Sequence, residues 1–169
     1  STEVSPTARK IVDRPSGPTI GQVGRFELKA GLGQGGFGKV YRAYDPVLDR
    51  EVALKIPKFN SNETKKIRRF LKEAKSAAGL RHPNIIAVYE SGRVAGEYFI
   101  ASEYVDGRTL AEHIQVRHPS HKTAAGWVRD LAEALAYAHE EGIVHRDVKP
   151  ENIMIGEKGR PQIMDFGFA

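Results

Sequence analysis

Gly33, Gly35 and Gly38 form a G-x-G-x-x-G triplet, with Val40 two positions further on. Glycine lets a backbone turn tightly and approach an anion closely, so that amide N–H groups can bond phosphate oxygens directly. The flanking residues decide between the folds that use such a triplet. A dinucleotide-binding turn leads straight into a helix, whereas Lys39-Val40-Tyr41-Arg42-Ala43-Tyr44 reads as extended. A Walker loop ends in contiguous Gly-Lys-Ser/Thr, but here Val40 follows Gly38-Lys39. A strand-loop-strand lid over nucleotide phosphates fits better, with a plain hairpin turn as the alternative.

Such a ligand would be strongly anionic, and its charge must be offset by fixed ammonium groups or metal ions. Thiol chemistry is excluded, because the chain has no cysteine and so no disulfide, thiolate nucleophile or Cys-ligated zinc. The six histidines are scattered without metal-ligand spacing. With 169 residues, 40% of them hydrophobic, the composition predicts one compact folded unit. Twenty-six Lys and Arg against 21 Asp and Glu give +5, a weak signal when spread over a domain, and no nucleic-acid partner is expected. The densest basic run, Lys65, Lys66, Arg68, Arg69 and Lys72, is interrupted by Ile67, Phe70, Leu71 and Ala74 at helical spacing, so it reads as the wet face of a helix. No run approaches the ~20 apolar residues of a membrane span, and the first residues lack a signal-peptide core. A cytoplasmic location without membrane contact from the visible chain is the expectation.

The elements that must position these groups follow from periodicity. Residues 1–24 are rich in Pro, Gly and polar types and read as a flexible leader. Residues 26–32 and 40–43 read as two strands around the glycine turn, 52–57 as a third, and 85–89 and 98–104 as a fourth and fifth. Between the third and fourth, Ile67, Phe70, Leu71, Ala74, Ala77 and Ala78 predict a helix, with Asn62 as its cap. Residues 109–117 predict a short helix and 123–141 a long one, with Trp127, Val128, Leu131, Ala132, Leu135, Ala138 and His139 sharing a face. Short strands at 153–155 and 162–164 follow. The β-rich first part and helical second part suggest two lobes meeting near 103–107.

Gly33 to Val40, Val52-Ala53-Leu54-Lys55, His145-Arg146-Asp147 through Asn152, and Asp165-Phe166-Gly167 together resemble the signature set of the eukaryotic-type protein kinases, in the same order. The likeness runs from about Phe26 to the end. Gly24-Arg25-Phe26-Glu27-Leu28 and Glu103-Tyr104-Val105-Asp106-Gly107 are similar to the bacterial serine/threonine branch. The implied fold is α+β: a five-stranded antiparallel N-lobe with helix C over residues 25–104, and the start of a mainly helical C-lobe over 105–169.

By that resemblance, Gly33, Gly35 and Gly38 cover the phosphates of ATP, and Lys55 holds them while paired to a helix carboxylate, Glu73, with Glu63 as the alternative. Val40 and Ala53 form the ceiling over the base and Met154 its floor. Glu103 and Val105 belong to the hinge that bonds the adenine edge, with Ser102 as gatekeeper. Asp147 positions the substrate hydroxyl and accepts its proton, and Lys149 stabilises phosphate. Asn152 and Asp165 supply oxygen ligands to Mg²⁺, with Mn²⁺ as a substitute ion. His145, whose near-neutral pKa would suit a base, is implied to be a packed ring beneath Phe166, and Arg146 to pair with an activation-loop phosphate.

The resemblance implies transfer of the ATP γ-phosphoryl group to Ser/Thr hydroxyls of protein substrates. Family members continue past the position of Ala169 through an activation segment and further helices. A fragment lacking these is expected to expose apolar surface suited to a homo-oligomer or a complementary kinase-lobe segment. A membrane tether in a distal segment of the full-length protein fits the same branch. The competing functions are a catalytically weak nucleotide-binding or interaction module and a small-molecule kinase.

Overall fold

The computed structural model describes residues 17–35, 38–59 and 63–166, and the side chain of Glu73 is outside that description. The expected Asn62 cap and Gly167 also fall outside the described residues. Nine strands and three α-helices are formed among those described.

The first six strands are β1 (Gly21–Val23), β2 (Phe26–Gly35), β3 (Gly38–Asp45), β4 (Arg50–Ile56), β5 (Val88–Val94) and β6 (Glu97–Glu103). They form one antiparallel sheet in the order β1-β2-β3-β4-β6-β5. Strand alternation assigns the two faces. Val52 and Leu54 are fully buried with Phe26, Leu28, Phe99 and Ala101 on one side. Ala53 and Lys55 therefore face the other side, with Val40 directly opposite Lys55 in register.

The sheet has six strands where five were expected. The additional strand β1 lies inside the segment read as a leader, pairing Gly21 with Leu28 and Val23 with Phe26 across a tight turn in which Gly24 has φ +56. The strand expected at 85–89 begins at Val88. Residues 84–86 instead bond the lower lobe, with Ile86 N–H donating to Ile163 O (2.9 Å) and Ile163 N–H to Asn84 O (2.8 Å). A stretch whose backbone is satisfied by a remote strand has no polar groups left for the local ladder.

Helix α1 (Thr64–Ala77) buries Phe70, Ala74 and Ala77, the i, i+4, i+7 spacing of one helical face. Below the sheet, β7 (Gly107–Thr109) precedes α2 (Leu110–Val116), and Thr109 and Glu112 close a reciprocal capping box. Helix α3 (His121–Glu140) is capped by Ser120, whose hydroxyl accepts from Thr123 N–H at 3.1 Å. Its buried face is Trp127, Leu131, Ala134 and Ala138, whereas Val128, Ala132 and His139, assigned to that face from sequence, are exposed. The face is centred on the i, i+4, i+7, i+11 line, and Val128 lies off it.

A 3-10 turn (Pro150–Asn152), β8 (Ile153–Gly156) and β9 (Pro161–Ile163) complete the chain, and β7-β8-β9 form a small sheet. One buried cluster runs from α1 through β5 and β6 to α3, β8, β9 and Phe166, so the two lobes share a core. Among the described residues, no helix is long and apolar enough to cross a membrane.

Candidate active site

The cleft between the sheet and the β7-β8-β9 layer encloses about 300 Å³. Its ceiling is Val40 and Ala53, its floor Met154, and its connecting wall Ser102, Glu103, Tyr104 and Val105. Lys55 and Asp165 close the inner end. Eight of the residues singled out from sequence thus line one cavity: Val40, Ala53, Lys55, Ser102, Glu103, Val105, Met154 and Asp165.

Register explains the convergence. Val40 and Ala53 lie on the cleft face of β3 and β4, and Ser102 sits opposite Ala53 on β6, its hydroxyl donating to Ala53 O at 3.3 Å. Glu103 N–H is committed to Ala87 O at 2.8 Å. Val105, beyond the end of β6, makes no backbone hydrogen bond among the described residues. Its peptide edge is available at the cleft wall. Gly107 must be glycine, because a Cβ there would lie 2.2 Å from Ile155 O.

Lys55 Nζ donates to Asp165 Oδ2 at 2.9 Å, bridging 110 residues of sequence. Both side chains are sheltered, at 16% and 34% exposure. Asp165 has φ +62 and Arg146 φ +70, left-handed conformations uncommon for residues other than glycine. The hairpin of β8 and β9 brings the ends of this region together. Asn152 immediately precedes β8, Met164 and Asp165 follow β9, and Met164 N–H donates to Asn152 O at 3.0 Å.

A second cluster lies beside the cleft. Asp147 Oδ2 accepts from Asn152 Nδ2 at 3.0 Å and is 2.8 Å from Lys149 Nζ, while Asn152 Nδ2 also donates to Asp147 O at 2.8 Å. The Lys149 ammonium, helped by the Asn152 amide, holds the Asp147 carboxyl below the usual carboxylate range, and Asp147 in turn raises Lys149. His145 is buried, its ring 4.7 Å from that of Phe166. Its Nδ1 accepts from Asp147 N–H at 3.2 Å, which leaves Nε2 as the donor to Met164 O at 2.8 Å. Both nitrogens are occupied in holding the loop, which fits a packed structural ring.

The donor set suits a hard cation. Asn152 turns its NH₂ toward Asp147, so its amide oxygen remains for an ion, and Asp165 contributes a carboxylate. Among the described residues, no three His, Cys, Asp or Glu side chains converge on a metal. Mg²⁺ commonly takes one or two protein oxygens and completes its shell with substrate phosphates and water.

The glycines occupy the edge of the site. Gly33 pairs with Val40 and Gly35 with Gly38, at the ends of β2 and β3. At Gly33 a Cβ would meet nothing within 4 Å, whereas at Gly38 it would lie 2.1 Å from Ile56 O. Gly38, with φ +126, is therefore required by packing against β4 as well as by turn geometry. Glu73 lies in α1, its side chain outside the described residues, and Glu63 pairs with Lys66. Leu32, Ile86, Val88, Ile100 and Met164 also line the cleft, although sequence patterning marks them only as strand or core residues.

Comparison with known proteins gives a consistent picture. The sequence profile of the protein kinase domain matches residues 26–169. The serine/threonine-protein kinase PrkC of Bacillus subtilis is 45% identical over 148 residues, covering 86% of this chain and 23% of that protein. The serine/threonine-protein kinase PknB of Mycobacterium tuberculosis is 42% identical over 151 residues, covering 86% and 24%. The chain thus spans about a quarter of the length of these curated relatives. Among solved structures, the M. tuberculosis PknI kinase domain superposes with a TM-score of 0.78 at 32% identity, covering 91% of this chain and 62% of that one.

Proposed function

The chain belongs to the protein kinase family, with bacterial serine/threonine kinases among its relatives, and we propose that it is the nucleotide-binding and catalytic-loop part of an ATP-dependent serine/threonine protein kinase. The single observation that carries this is the meeting of Lys55 and Asp165 at the inner end of a cleft whose walls suit an aromatic base. An ammonium beside a carboxylate is a charge pair ready to be shared with phosphate oxygens and a cation.

In this reading Val40, Ala53 and Met154 clasp the base, and the peptide groups of Glu103 and Val105 bond its edge. Gly33, Gly35 and Gly38 shape the lid over the phosphates, and Lys55 holds two of them, with Glu73 as the orienting carboxylate. Asn152 and Asp165 would hold Mg²⁺, which when bound offsets negative charge on the phosphate oxygens, and Mn²⁺ suits the same oxygen donors. Asp147 orients a Ser or Thr hydroxyl of a protein substrate and accepts its proton. A carboxylate already ionised by Lys149 and Asn152 suits that task. Lys149 then has a second duty, offsetting charge on the phosphoryl group in transit.

Binding and transfer must be measured side by side. MgATP titrated into the purified chain should bind, and Lys55→Ala and Asp165→Asn should each weaken binding while circular dichroism stays unchanged. Transfer of γ-phosphate to a protein hydroxyl, lost in both variants and in Asp147→Asn, would support the kinase assignment for these residues. Binding without transfer selects a nucleotide-binding module instead. No binding by a folded sample would reject both.

A further inference from the structure

Helix α1 carries a charge imbalance that the nucleotide site does not use. Thr64–Ala77 holds six Lys and Arg and one acid, Glu73, a net +5 equal to the formal charge of the whole chain. Taking these out of the 26 basic and 21 acidic residues leaves 20 of each, so the rest of the chain is balanced. The basic character is therefore concentrated on one element.

Its placement is equally uneven. With ~100° between successive helical residues, Lys65, Arg68, Arg69, Lys72 and Lys75 fall within an arc of roughly 120°. That arc points directly away from Phe70, Ala74 and Ala77, which are buried, and all five cations are exposed. Lys65, Arg68, Lys72 and Lys75 make no ion pair among the described residues. Lys65 with Arg68, and Lys72 with Lys75, are like charges at i,i+3, and Arg68 with Lys72 at i,i+4, spacings at which repulsion weakens a helix. Beyond Glu63 at the N-cap, which pairs with Lys66, the first turn contains no acid to set against Lys65. This arrangement costs helix stability in the isolated chain and is relieved by an anionic partner.

We propose that the outer face of α1 is a docking ridge for an extended acidic segment of a protein partner. From Lys65 to Lys75 the helix rises ~15 Å, the length of about five residues of extended chain. Acidic side chains along such a segment recur about once per helical turn of the ridge. The ridge is one helix wide and bears no exposed large apolar residue, because those that are exposed lie elsewhere, at Val47, Leu48, Val116 and Val128 among others. A bilayer presses on a broad plane and rewards apolar insertion, so the narrow ridge is better matched by a peptide.

The test uses the complete 169-residue chain and a fluorescein-labelled peptide with five consecutive glutamates between Gly-Ser flanks, followed by anisotropy at low salt. The glutamate peptide should bind, a glutamine counterpart should not, and added salt should weaken the complex. Arg68→Glu/Lys72→Glu should reduce affinity by about tenfold or more, whereas Arg117→Glu/Lys122→Glu, with the same charge change on another exposed surface, should reduce it by less than about threefold. Arg68→Gln/Lys72→Gln gives an intermediate loss with less burden on folding, and circular dichroism checks each variant. Equal losses in the two double reversals would reduce the effect to net charge and overturn the proposal. So would absence of peptide binding, or tighter binding to phosphatidylserine vesicles or single-stranded DNA under the same conditions.

Discussion

Lys149 Nζ lies 2.8 Å from Asp147 Oδ2, the same oxygen that accepts from Asn152 Nδ2 at 3.0 Å. Two donors on one oxygen favour the ionised carboxyl, and the ammonium contributes the larger part. A depressed folded-state pKa gives a contribution that is complete above the unfolded value, ~3.9, and lost as pH falls through the folded one. Lys149→Met should therefore move the Asp147 titration midpoint upward, read by carboxyl ¹³C NMR, with only a small drop in Tm at neutral pH because solvent screens this exposed pair. A midpoint that stays in place would separate the two residues functionally. Any loss of phosphoryl transfer at pH 7 in this variant is then due to missing positive charge, since Asp147 stays ionised.

The Lys55–Asp165 pair makes a second prediction. Lys55→Met removes the ammonium at the inner end of the cleft and should lower MgATP affinity by about tenfold or more, ~1.4 kcal/mol, in calorimetric titrations. Lys55→Arg keeps the charge but replaces a point ammonium with a planar fork, so only partial recovery is expected. Affinity that is unchanged in both variants would place the phosphates elsewhere.

Gly33 and Gly38 belong to one sequence motif but separate on substitution. Alanine at Gly38 puts a Cβ 2.1 Å from Ile56 O at φ +126, and it should cost about 2 kcal/mol or more in urea unfolding. Alanine at Gly33 enters open space and should leave unfolding nearly unaltered. If the lid covers a nucleotide, Gly33→Ala should instead weaken MgATP binding. A stable Gly38→Ala protein would contradict the described approach of β3 to the end of β4.

These contrasts show what was readable in the sequence. The cleft placement of Ala53 and Lys55 was implied by the resemblance, and the period-two burial of Val52 and Leu54 on the opposite face of β4 agrees with it. The resemblance likewise implied that Lys55 and Asp165 share one site although they stand 110 positions apart. By contrast, β1 is three residues long and too short to show a period. The bonding of residues 84–86 to Ile163 is a tertiary pairing with no local signature. Leu32, Ile86 and Ile100 looked like core residues because core and cleft ceiling demand the same apolar types. On α3, Val128 could be assigned inward by composition, yet the packing axis runs through Ala134 and leaves it exposed.

Ser102 is small, lines the cleft, and spends its hydroxyl on Ala53 O. Ile86, Val88, Ile100 and Met164 line the same cleft, so a larger side chain at 102 would take up apolar space within it. Ser102→Met should weaken bulky cleft-directed inhibitors by about tenfold or more while changing ATP affinity less than about threefold. Parallel competition titrations against one labelled nucleotide check this. Equal losses for both ligands would mean that the space beside Ser102 belongs to the nucleotide itself.

The remaining prediction concerns the far end of β3, where nothing touches the nucleotide cleft. Asp45 is fully buried, and Arg25 engages both of its oxygens, at 2.9 and 3.0 Å, while Val47 and Leu48 amides bond one of them. Burial alone would raise this carboxyl, but the Arg25 guanidinium and the two amides outweigh it, so Asp45 titrates below its ordinary value. Its contribution is present above the unfolded pKa and drains away only as pH falls below about 4. Asp45→Asn leaves Arg25, a third exposed, with Glu90 as its remaining carboxylate partner, and should cost about 1–2 kcal/mol at neutral pH. Below about pH 4 the gap between variant and parent should narrow, because the parent's own carboxyl is then being protonated. Urea unfolding of both proteins across that range checks the sign. A gap that widens on acidification would mean that Asp45 is neutral in the folded chain, which contradicts the two-point contact with Arg25.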